Sequence, residues 1–92
     1  MKYILLKSFL KGFDSYQQIE QELILDTIEK IKDYLENNNA SFGLRIKRLS
    51  TRIYEARINI YLRIVYFREK DIVKFVCLGS HDDIKRFLKN IS

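Results

Sequence analysis

Proline is absent from this chain of 92 residues, glycine occurs three times, and cysteine and histidine once each. Without proline, and with no low-complexity tract beyond Asn37-Asn38-Asn39, no segment has the composition of a linker, so one domain over residues 1–92 is expected. The lone Cys77 excludes an internal disulfide, and its place inside an apolar run reads as a small buried hydrophobe. One His and one Cys cannot assemble a structural tetrahedral zinc site without carboxylates at a spacing the sequence does not offer. Long apolar runs are missing too. Nothing approaches the roughly 18–20 residues of a membrane helix, and MKYILLKSF lacks the apolar stretch and small-residue cleavage site of a secretory leader. A cytoplasmic protein with no membrane contact is expected.

What is present is an ordinary globular balance, 47% hydrophobic and 32% charged, with the signs unevenly distributed. Residues 1–39 carry a net −2 and residues 40–92 a net +7. A basic C-terminal half fits a polyanionic partner, nucleic acid first, because clustered Lys and Arg release counterions on binding phosphate. Small basic domains that merely stay soluble carry similar totals, so charge alone leaves both readings open.

Residues 2–9, KYILLKSF, hold a short apolar run able to make a strand. Ser15 followed by Gln18 has capping-box spacing, and Ile24, Ile28, Ile31 and Leu35 then recur at helical intervals until the Asn triplet. The same stretch also fits two helices in a hairpin, bent between Phe13 and Gln18. From residue 44 the period changes to two. Segments 44–49, 53–58, 62–68 and 72–78 read as successive antiparallel strands. A three-residue turn at Asn59, Ile60 and Tyr61 sets Ile58 opposite Leu62 and Arg57 opposite Arg63. Tyr54, Ala56, Ile58, Leu62, Ile64 and Tyr66 then share a core face, while Glu55, Arg57, Arg63, Val65 and Phe67 share the other. The run IVKFVCL fits a central strand. Ser80 and Asp83 repeat the capping spacing and start a helix over about 81–90, with Ile84, Phe87, Leu88 and Ile91 as its apolar residues. The expected class is α+β, with an N-terminal helix or helical hairpin on a four- to five-stranded, mainly antiparallel sheet and a short C-terminal helix.

Chemistry-bearing residues concentrate in the basic half. Arg57 and Arg63, opposed on one strand face, would repel unless an anion sits between them, and guanidinium forks match phosphate oxygens. Alternatively Arg57 pairs with Glu55 or another carboxylate and Arg63 faces solvent. His81, the one side chain whose ordinary pKa near 6.5 permits proton transfer at neutral pH, stands where a strand hands over to a helix; a first-turn residue without a task is the other reading. Arg45, Lys47, Arg48 and Arg52 cluster around the first hairpin, either as a nucleic-acid contact or as a solvated edge that discourages aggregation. Asp82 and Asp83 suit the positive end of a helix dipole. No Gly-rich phosphate loop, nucleophile elbow or His-x-x-x-His pair occurs.

Taken in order, GLRIKRL, IYEARI, LRIVYF, an apolar strand ending CLGSHDD, and IKRFLKN resemble the RelE/ParE superfamily of bacterial and archaeal type II toxins over roughly residues 43–90. The resemblance implies a curved antiparallel sheet packed on N-terminal helices and, for the RelE branch, a ribosome-dependent endoribonuclease that cuts mRNA in the A site, against 16S ribosomal RNA. It implies no metal and no cofactor: the 2′-hydroxyl attacks the adjacent phosphorus in line, and the protein orients RNA, offsets phosphorane charge and moves protons. By motif, Arg63 matches the catalytic arginine, His81 a histidine used as acid or base, and Arg57 a phosphate-facing basic position. Arg45, Lys47, Arg48, Arg52, Lys85 and Phe87 would hold RNA or ribosomal RNA. Glu55 stands where the RelE branch carries lysine, and Phe87 lacks the hydroxyl of a terminal tyrosine. His81 is then the implied acid, with Glu55 either the base or a structural partner of Arg57. Arg63 and His81 are both expected outside the core. The ParE branch implies DNA gyrase inhibition by binding alone, and an inactive homologue is a third reading. A cognate antitoxin, acidic and partly disordered before binding, is the implied protein partner.

Overall fold

The computed structural model describes residues 1–39 and 43–91. Its elements are β1 (Lys2–Leu5), α1 (Lys7–Asp14), α2 (Gln18–Asn37), β2 (Arg45–Arg48), β3 (Ile53–Arg57), β4 (Arg63–Glu69), β5 (Ile72–Gly79) and α3 (His81–Ile91). The strands form one sheet in the order β1-β5-β4-β3-β2, with β1 parallel to β5 and every other pair antiparallel. This is the expected α+β class with a mixed five-stranded sheet.

The apolar stripe of α2 explains one layer of the core. Ile24, Ile28 and Ile31 are buried against Ala56, Leu62, Ile64, Tyr66, Val73 and Phe75, with Leu35 half-buried beside them. The hydroxyl of buried Thr27 donates to the Leu23 carbonyl at 2.8 Å, so its burial leaves no orphan donor. The helix ends as the Asn triplet predicts: Asn38 takes a left-handed φ of 54°, which its short polar side chain tolerates. On the opposite face of the sheet, Ile84 of α3 packs with Val65 and Val76, flanked by Phe67, Phe87 and Leu88.

Two expectations need correction at the N-terminus. The strand ends at Leu5, and residues 7–9 belong to α1. An eight-residue helix without a side-chain cap is marginal alone, and tertiary contact accounts for it. Where β1 stops pairing with β5, α1 takes over that edge: Leu6 N–H donates to the Phe75 carbonyl at 3.1 Å and the Ser8 hydroxyl to the Val76 carbonyl at 2.6 Å. The capping box of α2 is Gln17 with Glu20, whereas Ser15 closes α1, its hydroxyl donating to the Gly12 carbonyl. The helical hairpin with its bend inside 13–18 is therefore the correct alternative.

The near-continuous apolar run of β5 is explained by a register shift between Val65 and Tyr66. Tyr66 pairs with Phe75 and Val65 with Cys77, so β5 spends one extra residue there. Val73, Phe75 and Leu78 consequently serve the α2 side, while Val76 and Cys77 serve the α3 side.

The start of α3 is capped as the sequence predicts. Ser80 N–H donates to Asp83 Oδ2 at 2.9 Å, and Asp83 N–H donates back to Ser80 Oγ at 3.2 Å. The Ser80 N–H and, at 3.0 Å, the Ser80 hydroxyl both donate to Asp83 Oδ2, and these two bonds hold the Asp83 carboxyl below the usual carboxylate range. Gly79 makes the arrangement possible, since a Cβ there would lie 2.6 Å from Asp83 Oδ2. Asp83→Ala is expected to cost about 1 kcal/mol or less at neutral pH. A lowered folded pKa gives stability that is present above the unfolded value near 4 and lost as pH falls through the folded value. In urea melts the two proteins should therefore converge in acid; a gap that persists there would reject the assignment.

Candidate nucleic-acid interface

The two-residue repeat of the strands places Arg45, Lys47, Glu55, Arg57 and Arg63 on the α3 side of the sheet. Register then sets them in rows. Arg45 pairs with Arg57, Arg57 with Arg63, and Arg63 with Gly79, so three arginines lie across three adjacent strands. The neighbouring row runs Lys47, Glu55, Val65, Cys77. Together the five charged side chains line an open groove of about 500 Å³, four cations to one carboxylate. Like charges directly opposite one another destabilise a sheet. A ladder of three arginines is thus an electrostatic cost within the sheet, one that a bound anion would offset, and guanidinium forks match phosphate oxygens in charge and geometry.

Within the groove, Glu55 and Arg63 form the one buried ion pair among the described residues. Arg63 Nη1 lies 3.4 Å from both Glu55 carboxylate oxygens, and the side chains are 16% and 9% exposed. The partner of Glu55 is therefore Arg63, across the β3–β4 pair, and not Arg57. Arg57 is exposed and forms no ion pair among the described residues. Arg63 Nε is buried without a hydrogen-bond partner, so the guanidinium is held by Glu55 on one nitrogen and keeps donor capacity unspent. Arg63 lies outside both core clusters, as expected, yet its side chain is only 16% exposed and its removal takes from Glu55 its ion-pair partner.

The other candidate residues lie outside this groove. His81 is exposed at the head of α3, two residues beyond the Gly79 that pairs with Arg63, and does not line it. Arg48 turns onto its own hairpin, donating to the Ser50 and Thr51 carbonyls at 3.1 Å. Arg52 pairs with Glu69 at 3.6 Å. Lys85 is exposed on α3, and Phe87 is half-buried in the cluster beneath that helix. Cys77 is half-buried, and burial pushes its thiol pKa up, which suits packing better than nucleophilic work. Asp83 serves the cap and pairs with Arg86. The sequence reading missed the third rung of the ladder, Arg45 opposite Arg57. The signal was the three-residue turn 50–52 between Leu49 and Ile53, whose N–H to carbonyl bond of 2.8 Å continues the register that sets Arg45 opposite Arg57.

Among the described residues, no group of three or more His, Cys, Asp or Glu side chains is arranged to hold a metal ion. No helix among them is long and apolar enough to cross a membrane.

A mixed five-stranded sheet with a helical hairpin on one face and a C-terminal helix on the other, carrying a basic ladder, defines the class: the chain has the RelE-like toxin fold. It is similar to a copper-bound mutant toxin from Helicobacter pylori, with a TM-score of 0.65, 22% identity, and coverage of 91% of this chain and 98% of that one. It is also similar to a chain of the RelB–RelE antitoxin–toxin complex from Methanococcus jannaschii, with a TM-score of 0.64, 17% identity, and 91% and 96% covered. The archaeal RelE–RelB complex from Pyrococcus horikoshii gives 0.62, 18%, and 86% and 92%. No family model matches the sequence, and no curated protein matches it.

Proposed function

We propose that this chain is the toxin of a type II toxin–antitoxin pair and acts as a ribosome-dependent mRNA endonuclease. The single observation that carries the reading is the arginine ladder in a groove of four cations and one carboxylate, on a fold shared with RelE chains solved with RelB. In the proposed reaction a base takes the 2′-hydroxyl proton, the 2′ oxygen bonds to the adjacent phosphorus, the bond to the 5′ oxygen breaks, and an acid returns a proton to that oxygen. Arg57 and Arg63 would neutralise the charge that grows on the phosphoryl oxygens. Glu55, the one carboxylate lining the groove, would take the 2′-hydroxyl proton once RNA phosphate draws Arg63 away from it. His81, at the adjoining end of β5, would give the proton to the leaving oxygen. Arg45 and Lys47 would hold flanking phosphates, and the cognate antitoxin would be an acidic segment that covers the groove.

Expression of the chain alone, with mapping of new mRNA 5′ ends beside a gyrase supercoiling assay, tests this reading. Codon-phased cleavage is expected, falling about 10²-fold or more with His81→Ala while thermal stability stays unchanged, because His81 is exposed. Intact mRNA with stalled supercoiling would replace the proposal with gyrase inhibition, and neither effect would leave an inactive homologue.

A further inference from the structure

We propose that Tyr61, at the tip of the hairpin joining β3 to β4, is a stacking platform for an unpaired nucleobase beside the arginine groove; this rests on the RNA-binding reading above. Tyr61 is 76% exposed and its neighbour Ile60 64%. The turn does not need either side chain. Its shape is held by Asn59, whose Oδ1 accepts the Tyr61 N–H at 2.8 Å, and by the Leu62 carbonyl, which accepts from Ile58 N–H at 2.9 Å and Asn59 N–H at 3.2 Å. Neither residue belongs to a core cluster. Folding therefore gives no reason for an aromatic ring and a branched aliphatic chain where turns ordinarily carry Gly, Asn or Asp.

Position supplies the reason. This turn connects Arg57 directly to Arg63, the central pair of the ladder. Only Leu62 separates Tyr61 from Arg63, so their Cα atoms are two steps apart, a span of roughly 7 Å at most and comparable to one nucleotide. A phosphate held by the ladder would thus leave its base within reach of the ring. A basic groove bordered by an exposed aromatic is the combination with which proteins hold single strands, because every base offers a face for stacking. Flanking cations on both sides of the tip favour a nucleic acid over an apolar protein partner.

The chain contains no tryptophan, so Tyr61→Trp introduces a unique fluorophore. Titration of the full chain at low salt with a short single-stranded 2′-O-methyl RNA, which cannot be cut, should quench that indole. Tyr61→Ala should weaken binding about tenfold and leave the slope of log K against log salt unchanged, since no phosphate contact is lost. Tyr61→Phe should bind as the parent does. An abasic strand of equal length should bind parent and Tyr61→Ala alike. Equal affinity of Tyr61→Ala for the intact strand, or no quenching on binding, overturns the stacking assignment while the RNA reading stands, and would give the tip to a protein contact instead. Failure of the parent chain to bind the intact strand overturns the stacking assignment as well, while codon-phased cleavage on expression remains the separate test of the ribosome-dependent reading.

Discussion

Arg63→Ala is expected to abolish growth arrest and to destabilise the fold, two effects that separate experimentally. Arg63 and Glu55 are almost wholly withdrawn from water and lie 3.4 Å apart. Removing one member of such a pair leaves the other charge without compensation, at a cost of about 2–4 kcal/mol. That is a large share of the stability of so small a chain, so loss of toxicity by this variant alone would not distinguish a missing catalyst from a missing fold. Removing both members does. In the double variant Arg63→Met, Glu55→Met no charge is stranded, and most of the lost stability should return in urea melts. Cleavage should not return, because the guanidinium that faces phosphate is still absent, and a deficit of about 10²-fold or more is expected. Arg63→Lys keeps the charge and loses the planar fork, so an intermediate activity follows. A folded double variant that still arrests growth would remove Arg63 and Glu55 from the chemistry altogether.

Much of the sheet was legible because its residues repeat at intervals the backbone enforces. The three-residue turn at Asn59–Tyr61 was deduced from face consistency alone, and the register Arg57 to Arg63 is the one it requires. The stripe Ile24, Ile28, Ile31 and the Ser80–Asp83 cap were equally plain, since both depend on neighbours within a few positions in the chain. What escaped depended on contacts distant in sequence. Helix α1 exists because the Val76 carbonyl, 68 positions away, accepts from Ser8; read locally, KYILLKSF is as good a strand as a strand followed by a helix. The Ser15–Gln18 spacing misled for a related reason. Capping spacing is common by chance, and the true box, Gln17 with Glu20, uses an amide where a hydroxyl is the usual signal.

The site shows the same division. Every charged residue that lines the groove was picked out by type and strand position, yet which carboxylate meets which guanidinium was not. Glu55 is two positions from Arg57 on its own strand and diagonal to Arg63 on the next, and strand alternation puts all three on one face. Side-chain reach across that diagonal decides the partner, and no one-dimensional spacing encodes it. His81 illustrates the limit from the other side. Its chain position beside Gly79 follows from the strand, but the helix that begins at His81 takes the side chain off the strand's alternation.

Arg57→Ala is expected to stabilise the protein while crippling it. Arg57 stands between Arg45 and Arg63, so its removal relieves two like-charge pairs at once. Each such pair opposes the sheet by roughly 0.2–1 kcal/mol. The gain should lie toward the lower end, because Arg57 is exposed, and it should shrink further as salt screens the ladder. Urea melts at low and high ionic strength read this directly. Affinity for single-stranded RNA should fall in the same variant, and the slope of log K against log salt should drop by roughly 0.7, the value for one lost phosphate contact on a single strand. The two changes have opposite signs and one cause, a cation held where only an external anion makes it favourable. A residue that merely solubilised the sheet edge would show neither, and one that served the fold would show the stability change reversed. Should Arg57→Ala lower stability and leave the salt slope intact, the ladder would be structural and the groove would lose its claim on phosphate.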